Sequence, residues 1–212
     1  WRADDFGFYG FRNRWRDGDD CILQVFAKAH YIGGWNSGSA GTFRLVGLGH
    51  TWATGSTDRN RHRWEESVVQ LPDDPEINQT ACGRVTHVET RPDGSGVVSI
   101  DYTDVYSGRK LRPDRRKGMR LYTRYGNIRR DEAFADLGIT GMRSIGVDYS
   151  GRSGAPCLVA VVDRIQGGGR KVWTWQLLPG GKDMPSDVER TTTEGSSFLV
   201  RKDDGATLRG LF

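Results

Sequence analysis

Four histidines, one glycine-rich segment and two basic runs are the features of this chain whose side chains can do chemistry. The histidines are His30, His50, His62 and His87, and none forms a HxH or HExxH pair. A metal site would therefore need ligands gathered from separate strands. The stretch from His30 to Ser56 mixes glycine with His, Tyr, Trp and Asn, and includes Tyr31, Trp35, Asn36 and, in the strand that follows, Arg44. Glycines let a backbone approach a ligand closely, and loops carried on rigid sheets commonly bear function. The same stretch also reads as a plain long hairpin connection. A basic run, Arg59 to Trp64, contains Arg61, His62 and Trp64. Guanidinium forks match carboxylate or sulfate, and an indole can stack on a flat ligand face, so this run reads either as a grip on an anionic polymer or as a solvated loop. Arg109 to Lys117 reads as an exposed loop. Asp101 and Asp104 are the best-placed carboxylates for acid–base work, and their separation in space is not legible from sequence. There is no GxSxG, no P-loop and no glycine fingerprint after a strand.

The elements that must position these groups read as short strands. Alternating runs bounded by Gly, Pro, Asp or Asn occur at Cys21–Lys28, Thr42–Leu48, Ser67–Leu71, Gly83–Thr90, Gly96–Tyr102, Met119–Tyr122, Arg143–Tyr149, Cys157–Ile165, Arg170–Leu178, Ser197–Arg201 and Thr207–Phe212. In the ninth of these, Trp173, Trp175 and Leu177 share one face by period-two alternation. The Arg91–Gly96 stretch, with Pro-Asp-Gly, predicts a hairpin, and Gln166–Arg170, with three glycines, predicts another. Only Asp131–Leu137 reads as helical. Many evenly spaced strands with little helix predict an all-β fold, a large antiparallel β-sandwich, as a single domain over residues 1–212.

The chain has 212 residues and a formal net charge of +4, within the size of one all-β domain and long enough to bury a core. Mild positive charge suits acidic partners or is simply a solubilising surface. Nucleic acid is disfavoured because acidic residues are interspersed among the basic ones and no recognition motif is present. No apolar run is long enough to span a bilayer, so no membrane partner is expected. Cys21, Cys82 and Cys157 have no CxxC spacing, which argues against structural zinc. Cys21 and Cys157 each open an apolar run and read as buried thiols, while one bridged pair, of unspecified identity, stays open for an oxidising compartment.

Taken in order, these segments resemble the β-sandwich domain of the heparinase II/III-like polysaccharide lyases. The family's loop of the form Asn-His-x-Asp-Ala-Gly-Thr/Ser-Phe is matched by Asn36 to Phe43, and its Gly-x-x-Trp-Ala-x-x-Gly segment by Gly49 to Gly55. Arg59–Leu71, Val98–Tyr106, Arg143–Ile165 and Val172–Leu178 are similar to later segments, so the likeness in order covers nearly the whole chain. The resemblance implies β-elimination on a uronic-acid-containing polysaccharide, at a site between this sandwich and a helical toroid domain. It implies a secreted or periplasmic protein whose partners are an acidic polysaccharide and a toroid on another chain or a removed segment, since Trp1 falls where the sandwich would begin.

The family's loop His and Asp fall at Ser37 and Ser39. Serine is a poor metal ligand and no base near neutral pH. On this reading no cofactor is expected, a divalent metal held by this loop is disfavoured, and His30 or His50 takes the histidine's catalytic role. Tyr31, Trp35, Asn36, Arg44, Arg61 and Trp64 would contact substrate. The alternative is a non-catalytic carbohydrate-binding or assembly domain.

Overall fold

The computed structural model describes residues 1–29, 39–55, 63–73, 81–106, 108–109, 134–177 and 190–212. These form antiparallel sheets and two short 3-10 turns, Arg63–Glu65 and Thr103–Tyr106. The fold is all-β, as the strand spacing predicts. The first sheet runs β1 (Arg2–Ala3), β2 (Phe8–Arg12), β3 (Ile22–Phe26), β4 (Thr42–Gly47) and β5 (His50–Ala53), each pairing with the next. The short β6 (Val69–Gln70) leaves this sheet. Strands β7 (Arg84–Thr90) and β8 (Gly96–Asp101) then form the hairpin expected around Pro92-Asp93-Gly94, closed by Gly94 N–H donating to the Arg91 carbonyl at 3.0 Å.

Strands β9 (Gly108–Arg109) and β10 (Phe134–Ala135) pair with each other. The helix expected over Asp131–Leu137 is therefore corrected within its described part. Phe134 lies opposite Arg109 in a strand ladder, and seven residues are too few to hold an isolated helix against that pairing. Strands β11 (Thr140–Asp148) and β12 (Leu158–Gln166) complete the second sheet in the order β12-β11-β8-β7.

The glycines after Gln166 do not return the chain onto β12. The next strand, β13 (Val172–Trp173), crosses to pair with β6, which corrects the second expected hairpin. Beyond Trp173 the chain is irregular but still bonded, with Thr174 N–H donating to the Val68 carbonyl. Strands β14 (Arg190–Glu194), β15 (Ser197–Arg201) and β16 (Thr207–Leu211) make a third, three-stranded sheet. The expected strand at Met119–Tyr122 lies outside the described residues.

The first and second sheets face each other across the core. Leu23, Val25, Phe43 and Leu45 of the first meet Val98, Ile100, Ile145 and Val147 of the second, all 5% exposed or less. These are the alternate residues of their strands, so period-two patterning selects the buried face. Tyr149 ties the layers by two hydrogen bonds. Its hydroxyl donates to the Phe11 carbonyl at 3.0 Å and accepts from Leu23 N–H at 3.2 Å.

One end of the first sheet is closed by a carboxylate. Asp20, 2% exposed, accepts from Arg12 Nη2 at 2.6 Å, Arg14 Nε at 2.8 Å and the Arg16 N–H at 2.9 Å. Burial alone would raise its pKa. The Arg16 N–H and the two guanidiniums outweigh that and hold it at about 2. A carboxyl depressed by folding contributes stability above its unfolded value, and that contribution is lost as pH falls through the folded value. Urea unfolding followed from about pH 4 down to about pH 2 should show stability falling steeply in the wild type. Asp20→Asn, less stable at neutral pH, should flatten that limb.

Candidate functional site

The glycine-rich segment spans from the end of β3 to the start of β4, and its two described ends lie side by side. Gly41 N–H donates to the Phe26 carbonyl at 2.8 Å, and Phe26 pairs with Thr42. Beneath these ends is a cluster of buried charges that periodicity does not reveal. Arg63, Glu66, Lys28 and Arg143 are each 2% exposed or less. Buried charges persist only when paired and hydrogen-bonded, and here Arg63 and Arg143 each have partners from several elements.

Arg143, on β11, forms a bidentate pair with Asp163 of β12, at 2.7 Å from Nε to Oδ1 and 2.9 Å from Nη2 to Oδ2. Its remaining nitrogen, Nη1, donates to the Gly41 and Ser67 carbonyls, both at 2.8 Å. One guanidinium thus joins the second sheet to the foot of the loop and to the segment before β6. Asp163 also accepts from the Tyr102 hydroxyl at 2.8 Å and the Trp173 indole at 3.1 Å. Burial would raise the Asp163 carboxyl, but the Arg143 pair and these two donors hold it below its ordinary value. Burial drives the Tyr102 phenol upward, so it stays protonated as a donor.

Arg63 donates from Nη1 to the Ala40 carbonyl at 3.1 Å and from Nε to the Val69 carbonyl at 3.2 Å. Its guanidinium carbon lies 5.6 and 5.5 Å from the Tyr102 and Tyr106 ring centres, within cation–π range. Glu66 accepts from the Thr42 hydroxyl at 2.8 Å and from Arg44 Nη1 at 3.1 Å. Gly55, at the end of the segment after β5, lies against this pair. A Cβ would collide with Glu66 Oε2 and come within 2.6 Å of both terminal nitrogens of Arg44. Lys28 sits at the foot of the loop with φ of 53°, an uncommon backbone state for a residue with a side chain. Burial, with Arg63 nearby, lowers its amine to about 8, against the opposing effect of Cys82.

Two side chains of this cluster reach solvent. The Arg44 side chain is 23% exposed, and Trp173 is 50% exposed with its indole N–H fixed by Asp163. A partly exposed guanidinium and an open indole face, each braced by a buried carboxylate, are the pieces needed to hold a carboxylate and the flat face of a ring.

Of the residues singled out from sequence, Arg44 lies in this cluster. His30, Tyr31, Trp35, Asn36, Arg61 and His62, and the Trp64 side chain, lie outside the described residues. His50 is described but is not brought to the loop. It pairs with Gly47 at the far end of β4, about 20 Å away along a six-residue strand. There its Nε2 is 2.8 Å from Asp204 in the turn between β15 and β16, and its ring packs edge-on to Trp52. Ser39 is buried, and its carbonyl accepts from Thr42 N–H. His87 is exposed on β7. Asp101 is engaged by Arg84 at 2.7 Å and by Thr103 N–H at 3.0 Å.

Trp173, Lys28, Glu66, Arg143 and Asp163 are site residues that no sequence motif marks. Alternation groups Trp173 with Trp175, yet Trp175 turns inward to donate to the Trp52 carbonyl at 2.7 Å. Among the described residues no three of His, Cys, Asp or Glu group as a metal site would require. No protein-family model matches the chain, and no curated protein matches it.

Proposed function

We propose that this chain is the β-sandwich part of a polysaccharide lyase that acts by β-elimination on a uronic-acid-containing polysaccharide, with a helical toroid domain facing it from another segment or chain. The observation that carries this reading is the bracing of two solvent-reaching side chains, Arg44 on β4 and Trp173 on β13. Each presents an exposed surface, and each is immobilised by a carboxylate that solvent does not reach. Preorganised groups of this kind stabilise developing charge without reorganising.

In such a reaction Arg44 neutralises the uronate carboxylate, which acidifies the proton at C5. A base removes that proton, the C–H electron pair forms the C4–C5 double bond, and the C4–O bond breaks with its oxygen taking up a proton. Trp173 stacks on a neighbouring sugar. The base comes from the glycine-rich segment, where His30 is the candidate, or from the facing domain. The far-end position of His50 argues against that role for it. No metal is needed for Arg44 to act.

A second reading, a non-catalytic carbohydrate-binding or assembly domain, draws support from the engagement of both cluster carboxylates, Glu66 and Asp163, with arginine. The two readings separate on incubation with acidic polysaccharide and the co-purified partner. Growth of the ultraviolet absorbance of an unsaturated uronate supports the lyase. Saturable, salt-sensitive binding without that absorbance supports the binding domain.

A further inference from the structure

The structure assigns Cys21 and Cys157 as a thiol pair that oxidises to a disulfide joining the two sheets of the sandwich. Cys21 immediately precedes β3 in the first sheet, and Cys157 immediately precedes β12 in the second. The two thiols line one cavity and lie close enough to perturb each other. Their strands are already pinned at this point. Asp148 lies opposite Leu158, so Tyr149 stands beside Cys157, and the Tyr149 hydroxyl bonds Leu23 and Phe11 of the first sheet. The Cys21 sulfur packs on Gly47 of β4, where a Cβ would stand 2.7 Å from it. A glycine at that position gives the sulfur the room it occupies.

The third cysteine is excluded by topology. Cys82 lies at the other end of β3, where Gly83 N–H donates to the Ala27 carbonyl; burial pushes the Cys82 thiol up, opposed in part by the nearby Lys28. The five residues of β3 separate the two ends by roughly 17 Å or more, beyond disulfide reach.

Small oxidants can reach the pair. Both cysteines line a cavity of about 340 Å³ that is walled by Leu45, Trp52, Phe198 and Leu208. Cys157 is half-buried and Cys21 is buried. The interaction between the two thiols lowers Cys21 and, with burial, raises Cys157, which favours thiolate at Cys21. With a low-molecular-weight disulfide RSSR as oxidant, the Cys21 thiolate attacks one sulfur and expels RS⁻. Cys157 gives up its proton to the released thiolate, attacks the Cys21 sulfur of the mixed disulfide and expels the second RS⁻. The two thiols lose two electrons and two protons, and RSSR becomes two RSH.

The test is incubation of the purified chain with oxidised glutathione, followed by alkylation of remaining thiols, non-reducing peptide mapping and thermal melting. The expected product has one alkylated cysteine, Cys82, and a linked peptide pair containing Cys21 and Cys157. Closing so long a loop should raise the melting temperature by roughly 10 °C. Cys82→Ser should behave as wild type, whereas Cys157→Ser should lose the temperature rise and the linked peptide. Linkage through Cys82, glutathione adducts that remain unresolved on separate cysteines, or a thiol count unchanged by oxidation would overturn the assignment. Because Cys157 is half-buried, its serine variant keeps the test available even where Cys21→Ser does not fold.

Discussion

Asp163→Ala is expected to lower folding stability by about 3–5 kcal/mol, the range for breaking a buried ion pair from one side. The carboxylate is 1% exposed and takes both forks of Arg143, the Tyr102 hydroxyl and the Trp173 indole. Its loss leaves the Arg143 guanidinium charged within the core, because arginine does not give up its proton to escape burial. Urea denaturation of the variant beside wild type measures the effect. Asp163→Asn separates charge from shape. It keeps one acceptor oxygen, for Tyr102 or Trp173 but not both, and lacks the negative charge, so it should lose most of the same stability. Arg143→Met combined with Asp163→Leu should recover part of the loss, since a well-packed apolar pair can replace a buried ion pair. Recovery stays partial because the Gly41 and Ser67 carbonyls lose their donor. Near-wild-type stability of Asp163→Ala would mean that the pair does not hold the loop foot as described.

The second large effect is on activity. In the complex with the facing domain, Arg44→Ala should reduce kcat/KM on a uronate polysaccharide by roughly a hundredfold, the scale for removing one preorganised group that meets developing charge. Alanine also takes a partner from buried Glu66, so its effect mixes stability with function. Arg44→Lys resolves this. It keeps a cation beside Glu66 and should melt within a few degrees of wild type, yet it lacks the planar fork and should still lose roughly tenfold in kcat/KM. Initial rates over a substrate series, with melting curves on the same samples, check both. An Arg44→Lys enzyme with wild-type kcat/KM would remove the carboxylate clamp from the account.

What was legible in the sequence was mostly local. Pro92-Asp93-Gly94 between two alternating runs specifies the β7–β8 hairpin by turn chemistry alone. The alternation in Arg143–Tyr149 and Cys157–Ile165 marks β11 and β12, which pair residue for residue over nine positions. Other strands were passed over. Phe8–Arg12 carries a mid-strand glycine, Gly10, onto which the Trp1 indole packs, and that contact is invisible in a window of five residues. The glycines after Gln166 mark a turn but not the destination of the next strand, which is set by the distant β6.

The site was least legible. Arg63, Glu66 and Arg143 are charged types that pattern reading places at the surface, and only pairing across sequence separations such as the 20 residues between Arg143 and Asp163 makes their burial tolerable. Arg63 falls within the Arg59–Trp64 run read as a polymer grip or a solvated loop, yet its side chain braces the Ala40 carbonyl from inside. Arg44 was legible because it follows the Asn36–Phe43 motif. Trp173 was not, because alternation assigns it a face without saying whether any element covers that face.

The most direct measurement of the central claim is the mass of the new chain ends formed when this sandwich, complexed with its facing domain, is incubated with a uronate polysaccharide. β-Elimination leaves one product lighter by a molecule of water than hydrolysis would, with a double bond in its terminal uronate. That dehydrated product is expected with wild type, and roughly a hundredfold less of it with Arg44→Ala. Hydrolytic ends only, or polysaccharide bound and recovered uncut, would contradict it.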